Sequence, residues 1–352
     1  MSRPAHGGNL AWAATLADCP PEAIVDFSAS ISPLGPPPSV LAAIQTHFRD
    51  IAAYPDINYG KLRQALAGGH QIPAEWILPG NGAAELLTWA GWDLAALGQV
   101  LLLTPAFGDY RRCLKAFNAN VVEWPLSLVG GSLLPIPEPG GAISRGLLLN
   151  NPHNPTGQLF RREEILPYLD ELALVVVDEA FMDFLPPPEQ QSLIDAVAQY
   201  PNLVILRSLT KFYSLPGLRL GYAIAHPDRL RSWQQRRDPW PVNVLAAAAG
   251  VAALGDVEFQ QQTWSWLPPA RAELFSGLQA IPGINPLPSV ANFLLVEMAD
   301  ALELQEKLLR YHRILIRDCL SFPELGGRYF RVAVRTGKEN QRLVRAIAEV
   351  VS

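Results

Sequence analysis

From about residue 76, short apolar runs that are rich in β-branched residues alternate with amphipathic segments. Several of these runs are continuously apolar, a pattern typical of strands buried on both faces of a mainly parallel sheet. The pattern therefore predicts an α/β fold with helices on both faces of the sheet. The predicted strands are Val100–Thr104, Asn120–Trp124, Gly146–Asn150, Leu172–Asp178, Leu203–Ser208 and Gly221–Ala225.

The pattern divides the 352 residues into three parts. Residues 1–55 are expected to form an N-terminal arm and a helix that begins near Ser39. Residues 56–265 are expected to form the large α/β domain, and residues 266–352 a small C-terminal α+β domain, because helical and strand patterns mix there. The later predicted elements are the helices Asn243–Gly255, Pro269–Ala280 and Ala301–Tyr311 and the strands Asn292–Val296 and Arg331–Arg335.

Charge and composition exclude several classes of protein. A formal net charge of -5 argues against a nucleic-acid binder that relies on a large positive field. No apolar run reaches the roughly 18 residues of a membrane span, so no membrane partner is expected. The three cysteines, Cys19, Cys113 and Cys319, have no spacing typical of a zinc site or a disulfide framework. Together with the absence of a signal-peptide pattern, they favour a cytoplasmic protein without a metal site.

Polar clusters follow the predicted strands, at the edge of the sheet where ligands collect in open α/β folds. Gly80–Glu85, which contains Gly82, Ala83 and Ala84, precedes an apolar helical run. Its small residues and the helix N-terminus suit an anion such as phosphate, although a simple glycine turn before a helix is the commoner explanation of such a segment. Asn150–Gly157 is either a proline-rich turn or a loop in which Asn154 donates a hydrogen bond to a ligand.

Two further clusters contain ionisable residues. Asp178 closes a run of buried β-branched residues, so its carboxylate either caps the next helix or pairs with a cationic heterocycle. Lys211 follows the next strand among hydroxyl and apolar residues. A lone lysine is usually a surface residue, but in such a setting it can lose its proton and form an imine. Ser208 and Arg219 are natural ligands of a phosphate.

The order and spacing of Asn154, Asp178, Lys211 and Arg219 resemble those of the fold-type I pyridoxal-phosphate enzymes of the aspartate aminotransferase group. The resemblance implies pyridoxal 5'-phosphate as the cofactor, with Lys211 as the catalytic residue bound covalently to it. It places Asp178 at the ring nitrogen and Asn154 at the ring oxygen. The further residues that it places around the cofactor are Ser208, Arg219, Gly82, Ala83 and Ala84 at the phosphate, Phe107 stacked on the ring, and Tyr54 reaching the phosphate from the second subunit of a homodimer.

Within this group, nearly the whole chain resembles the branch that contains histidinol-phosphate aminotransferases and the threonine-phosphate decarboxylases of cobalamin biosynthesis. Phe181 is a decarboxylase feature, because aminotransferases usually carry Tyr there. The resemblance implies a lyase that decarboxylates O-phospho-L-threonine to (R)-1-aminopropan-2-yl phosphate, with transamination of the histidinol-phosphate type as the alternative. The other decarboxylase features are His6–Asn9, Val25–Gly35, Ile314–Cys319 and Tyr329–Arg335.

The same resemblance implies a set of residues that bind the substrate. Arg317 and Arg331 suit a small molecule with both a carboxylate and a phosphate, although surface ion pairs are the simpler alternative. Ser30 stands where the decarboxylases commonly carry Asn. The implied substrate-binding residues are His6, Gly7, Ser30, Asn154, Arg317 and Arg331.

A ligand sensor fused to a DNA-binding domain is a third class of function for a chain of this kind. The sequence argues against it, because the chain has no basic helix-turn-helix segment.

Overall fold

The computed structural model describes residues 3–128, 130, 133, 135–136 and 143–352. No helix within these ranges is long and apolar enough to cross a membrane. The strands are β1 (Val25–Asp26), β2 (Ile77–Asn81), β3 (Gln99–Thr104), β4 (Val121–Pro125), β5 (Arg145–Asn150), β6 (Leu174–Asp178), β7 (Leu203–Ser208), β8 (Leu220–Ala225), β9 (Asn285–Pro286), β10 (Phe293–Glu297), β11 (Ile314–Leu315), β12 (Arg317–Asp318) and β13 (Tyr329–Ala333). The helices are α1 (Leu10–Ala17), α2 (Pro38–His47), α3 (Gly60–His70), α4 (Ala83–Ala95), α5 (Gly108–Ala116), α6 (Arg162–Ile165), α7 (Pro167–Glu171), α8 (Leu209–Phe212), α9 (Pro227–Gln234), α10 (Val244–Gly255), α11 (Val257–Gln279), α12 (Ala301–His312) and α13 (Gly337–Val351).

The large sheet has the strand order β2-β8-β7-β6-β5-β3-β4. Strands β3 to β7 run parallel to their neighbours within this group, and β8 runs antiparallel to both β7 and β2. The prediction of a mainly parallel, doubly covered sheet is therefore confirmed. Every residue of β7 and β8 is buried, which explains why their sequences are continuously apolar. Strand β2 was not predicted, because Pro79 and Gly80 disfavour strands.

Two predicted boundaries in the C-terminal part are wrong. The helix expected at Pro269–Ala280 begins twelve residues earlier, at Val257, where the Asp256 side chain accepts a hydrogen bond from the Phe259 amide. Pro268 and Pro269 lie inside this helix, although proline is usually found at a helix start. The strand expected at Arg331–Arg335 is shifted two residues toward the N-terminus, because Glu297 of β10 pairs with Tyr329.

The second sheet is small and antiparallel, with the order β12-β13-β10-β9. The N-terminal arm is tied to this part of the chain, since β1 pairs in parallel with β11 through Val25 and Ile314. The backbone amide of Ala333 also donates a hydrogen bond to the carbonyl of Phe27, at 2.8 Å. The arm therefore packs against the C-terminal part of the chain. The domain limits 1–55, 56–265 and 266–352 remain a prediction.

Candidate active site

The carboxyl ends of β5, β6 and β7 meet at one edge of the large sheet and place Asn150, Asp178 and Ser208 side by side. A cavity of about 640 Å³ opens between this edge and the small sheet. A second pocket adjoins it and shares Asp178, Lys211 and Arg219 with it. The predicted site residues that line the first cavity are His6, Gly7, Ser30, Phe107, Asn154, Asp178, Lys211, Arg219, Arg317 and Arg331, and those that line only the adjoining pocket are Ala83, Ala84 and Ser208.

Lys211 lies in the short helix α8, which begins directly after β7 and is capped by the Ser208 side chain. Burial lowers the pKa of Lys211, and the charges of Arg331 and Arg219 act in the same direction, while Asp178 opposes them. The Nζ atom lies 4.8 Å from the centroid of the Phe181 ring. An amine with a lowered pKa is more readily neutral and nucleophilic, which a covalent bond to an aldehyde requires.

Asp178 ends β6 and faces the cavity. Its Oδ1 accepts a hydrogen bond from the Ala180 amide at 2.9 Å, so the side chain closes a local turn and does not cap a helix. Burial raises the pKa of this carboxyl group, against the effects of Lys211, Tyr110 and the Ala180 amide. The charged form of Asp178 would therefore be stabilised by a further cation, and a protonated heterocyclic nitrogen is such a group.

Tyr110 is a site residue that the sequence analysis missed. Its hydroxyl donates a hydrogen bond to Asp178 Oδ2 at 2.8 Å, and the side chain is 1% exposed. Tyr110 lies in the first turn of α5, three residues after Phe107, and the two rings are 5.6 Å apart. The signal available in the sequence was this spacing, because residues three apart share a helix face.

The N-terminus of α4 and the end of β7 form a cradle for an anion. Gly82, with φ of 73°, precedes α4, and a side chain at this position would collide with the Arg219 guanidinium. A Cβ atom at Gly221 would lie 2.5 Å from the Ala83 amide nitrogen. The two glycines thus let Arg219 and β8 approach the start of a thirteen-residue helix, and Ala83, Ala84 and Arg219 line the adjoining pocket. A phosphate group fits this position.

A buried ionic cluster fixes the spacing between Asp178 and Ser208. Glu179 follows Asp178, and Arg207 precedes Ser208 on the neighbouring strand. The Arg207 Nε atom lies 2.9 Å from Glu179 Oε2, and both side chains are at most 1% exposed. Arg207 also pairs with Asp183. Such a fully enclosed pair holds one geometry, because breaking it leaves a buried charge without a partner.

Arg317 and Arg331 face each other across the paired strands β12 and β13. The alternative of surface ion pairs is wrong, because the two side chains are 6% and 8% exposed and neither forms a salt bridge within the described residues. Arg331 also lies inside its strand, whereas the sequence analysis placed it at a strand end. Burial, followed by the charge of Arg317, lowers the pKa of Arg331 to about 10. Two buried guanidinium groups without carboxylate partners are suited to bind anions, and they are called the candidate anion site.

The two arginines are joined to other parts of the cavity. Arg331 Nη1 donates a hydrogen bond to Asn154 Oδ1, so the Asn154 side chain offers its Nδ2 atom as the donor to a ligand. Arg317 Nη2 donates to the carbonyl of Ala5 and to Ser321 Oγ, both at 2.6 Å. The anion site is therefore connected both to the residue expected at the cofactor oxygen and to the N-terminal arm.

The remaining predicted residues differ in their positions. The His6 ring lies 5.7 Å from the Phe107 ring, so the arm reaches the cavity wall. Ser30 Oγ is buried and has no hydrogen-bond partner within the described residues, which leaves it available to a ligand. Tyr54 does not line the cavity; it is 79% exposed and stacks on Trp240 at 4.3 Å.

The residues around the cavity fit pyridoxal 5'-phosphate. The buried Asp178 carboxylate suits the ring nitrogen, Phe107 at the cavity wall suits the ring face, and the cradle beside Arg219 suits the phosphate. The Lys211 amine lies on the same wall as Asp178 and suits the aldehyde carbon. When bound, this cofactor supplies an electron sink for bonds at the α-carbon of an amino acid.

Comparisons with known proteins identify the family of the chain. The family model for aminotransferase class I and II matches residues 22–347. A threonine-phosphate decarboxylase from Salmonella typhimurium is 40% identical over 99% of this chain and 97% of its own length. A histidinol-phosphate aminotransferase from Symbiobacterium thermophilum is 35% identical over 92% of this chain and 90% of its own.

A solved structure gives the same result for the fold. The L-threonine-O-3-phosphate decarboxylase from Porphyromonas gingivalis superimposes with a TM-score of 0.82 and 26% identity, covering 93% of this chain and 99% of that one. The region that the family model matches, residues 22–347, includes both sheets and every residue around the cavity beyond the arm. The chain therefore belongs to the class I and II aminotransferase family of pyridoxal-phosphate enzymes.

Proposed function

We propose that this chain is a pyridoxal-phosphate-dependent lyase of cobalamin biosynthesis, which converts O-phospho-L-threonine to (R)-1-aminopropan-2-yl phosphate and carbon dioxide. The observation that carries the proposal is the buried pair Arg317 and Arg331 in the same cavity as Lys211. A substrate with a phosphate and a carboxylate supplies the two anions that this pair requires. The relative that is 40% identical over 97% of its own length has the same activity in its name.

The reaction breaks the bond between the α-carbon and the carboxylate carbon. Carbon dioxide leaves without the bonding electron pair, and the α-carbon then takes a proton. Bound pyridoxal 5'-phosphate would supply the sink for this electron pair, so the task of the protein is to orient the substrate. Arg317 and Arg331 bind the substrate anions at the small sheet. Lys211 and Asp178 lie on the opposite wall of the cavity.

Enclosure of the cavity is the second contribution of the protein. The arm places His6 beside Phe107, and Ser30 and Phe181 complete the wall near Lys211. Exclusion of water strengthens the contacts between the guanidinium groups and the substrate anions, because the local dielectric falls. It also protects the carbon that takes up the proton from side reactions.

The alternative is transamination of the histidinol-phosphate type, since an aminotransferase of that kind is 35% identical to this chain. Phe181 separates the two functions. Its ring lies close to Lys211 Nζ and carries no hydroxyl, whereas aminotransferases of this group usually have a tyrosine there. The proposed site thus lacks one hydrogen-bond donor beside the lysine, and decarboxylation is the reaction that we propose.

The proposal includes a homodimer with shared sites. Tyr54 is exposed on a surface that also carries the exposed apolar side chains of Phe48, Ile51 and Ile57. Such a surface is typical of an interface, and a two-fold partner would cover it and deliver Tyr54 to the cofactor phosphate of the other subunit. A cytoplasmic location is also proposed, because Cys113 and Cys319 are buried as free thiols.

Product analysis tests the proposed function. The purified holoenzyme is incubated with O-phospho-L-threonine and with 2-oxoglutarate as the acceptor of the amino group, and carbon dioxide, aminopropanol phosphate and the keto acid formed from the substrate are quantified. We expect carbon dioxide and aminopropanol phosphate in equal amounts, with keto acid as a minor product. Lys211→Ala is the matched control and should form none of them. Keto acid as the main product would overturn the proposal.

A further inference from the structure

Ser28 connects residues 3–17, the outer part of the N-terminal arm and hereafter the arm, to the anion site. Its Oγ accepts a hydrogen bond from the Gly8 amide at 2.8 Å, and its carbonyl oxygen lies 3.5 Å from Arg331 Nη2. The Ser28 side chain is 2% exposed. The arm packs closely at this point, since a Cβ atom at Gly7 would lie 2.2 Å from the Ser28 carbonyl oxygen. Ser28 thus contacts both the arm and Arg331.

Asp26 determines which hydrogen bond the Ser28 hydroxyl makes. Asp26 Oδ1 accepts from the Ser28 amide at 2.7 Å and from Ser28 Oγ at 2.6 Å. A hydroxyl has a single proton, and here it points to the carboxylate. The lone pairs of Oγ are therefore left to accept from the Gly8 amide. Asp26 itself also lines the cavity, although it forms no salt bridge within the described residues.

We propose that Asp26 and Ser28 are positioning residues that hold the N-terminal arm over the reaction cavity. The carboxylate orients the hydroxyl, the hydroxyl holds the Gly8 amide, and the arm then keeps His6 against Phe107. Arg317 donates a second hydrogen bond to the arm, at the carbonyl of Ala5, the residue before His6. This inference rests on the proposed function, because the arm then closes the chamber in which the phosphorylated substrate is bound.

Hydrogen exchange of the arm measures the positioning directly and needs no turnover. Deuterium uptake of peptides covering residues 3–17 is followed by mass spectrometry in the holoenzyme and in Ser28→Ala. Loss of one hydrogen bond should increase the population of the open arm about two- to tenfold. Asp26→Ala should have a similar effect, and the double variant should add little, since the residues act as one unit.

Two further variants separate positioning from general loss of structure. Asp26→Asn keeps an oxygen that accepts both hydrogen bonds from Ser28, so exchange of the arm should stay near that of the unmodified enzyme. Thr15→Ala changes an exposed hydroxyl on α1 that bonds only within its own helix, and it should alter neither the arm nor activity. Melting temperatures of all variants report on the fold.

Kinetics provide the second measurement. Ser28→Ala and Asp26→Ala should raise KM for O-phospho-L-threonine about two- to tenfold and increase the share of keto acid, while Asp26→Asn should do neither. Unchanged exchange of the arm in both alanine variants would overturn the inference, and so would a looser arm with unchanged KM and product ratio. The proposed function fails by a different result, namely the absence of carbon dioxide with the unmodified enzyme.

Discussion

The hydroxyl of Tyr110 donates a hydrogen bond to Asp178, with 2.8 Å between Oη and Oδ2, at the point where the large sheet meets the cavity. The bond holds the carboxylate that faces the proposed ring nitrogen of the cofactor. Because the tyrosine is fully enclosed, burial raises its pKa well above the usual value, and Tyr110 remains a neutral donor throughout the physiological range. Asp178 therefore has a fixed orientation, because the Tyr110 hydroxyl and the Ala180 amide each donate to one of its oxygens.

The variant Tyr110→Phe should weaken cofactor binding without unfolding the chain. A hydrogen bond to a charged group contributes about 1.5–3 kcal/mol, which corresponds to roughly a tenfold or larger rise in the cofactor Kd. Titration of the apoenzyme with pyridoxal 5'-phosphate, followed by absorbance, measures the cofactor Kd. Tyr311→Phe removes an exposed hydroxyl and is the matched control. An unchanged Kd in Tyr110→Phe would show that the contact does not position Asp178.

Substitution of either buried arginine should weaken substrate binding. Arg331→Ala and Arg317→Ala each remove a charge-assisted contact, so we expect KM for O-phospho-L-threonine to rise about ten- to a hundredfold. Steady-state kinetics measure this, with Arg310→Ala as the control, because that arginine forms an exposed ion pair with Glu306. If both variants kept the original KM, the anion site would lie elsewhere.

Mixed dimers test whether Tyr54 serves the neighbouring subunit. Lys211→Ala and Tyr54→Phe should each be impaired as homodimers. After unfolding and refolding together in equal amounts, half of the dimers carry one site with both residues intact, so about a quarter of all sites should recover. Activity of the refolded mixture is compared with that of the separately refolded variants. No recovery, or full activity in a monomer, would exclude shared sites.

The unfolding free energy should fall as the pH drops below 6.5. His153 is fully buried, and burial lowers its pKa from 6.5 to about 3. Between these values the unfolded chain binds a proton that the folded chain does not, so stability is lost by up to about 1.4 kcal/mol per pH unit. Urea unfolding between pH 5.5 and 7 measures the slope, and His153→Asn should reduce it.

The sequence predicted correctly those elements in which every residue is buried. β7 lies at the predicted residues because every side chain in it is buried, and Lys211 and Asp178 could be placed because each follows such a strand. The sequence analysis placed the start of α11 at Pro269, because proline is typical of a helix start. The helix begins instead after the Asp256 cap and continues through both prolines. Local pattern and tertiary packing agree in the first case and compete in the second.

Contacts between distant parts of the chain could not be predicted in the same way. The bonds from Tyr110 to Asp178 and from Gly8 to Ser28 join residues 68 and 20 positions apart. Tyr110 has only its spacing from Phe107 as a signal, and Ser28 lies in the segment Val25–Gly35 without a pattern that assigns it a role. Their roles depend on where the arm and α5 pack on the sheet edge, which the folded chain alone determines.

Which bond at the α-carbon breaks is the central question, and the reaction in deuterium oxide answers it most directly. O-phospho-L-threonine labelled with carbon-13 at the carboxylate is converted by the holoenzyme, and the products and the remaining substrate are followed by NMR. We expect labelled carbon dioxide, aminopropanol phosphate with one deuterium at the carbon that bears nitrogen, and remaining substrate that keeps its α-hydrogen. Deuterium at the α-carbon of remaining substrate, with keto acid and no labelled carbon dioxide, would contradict the proposed decarboxylase.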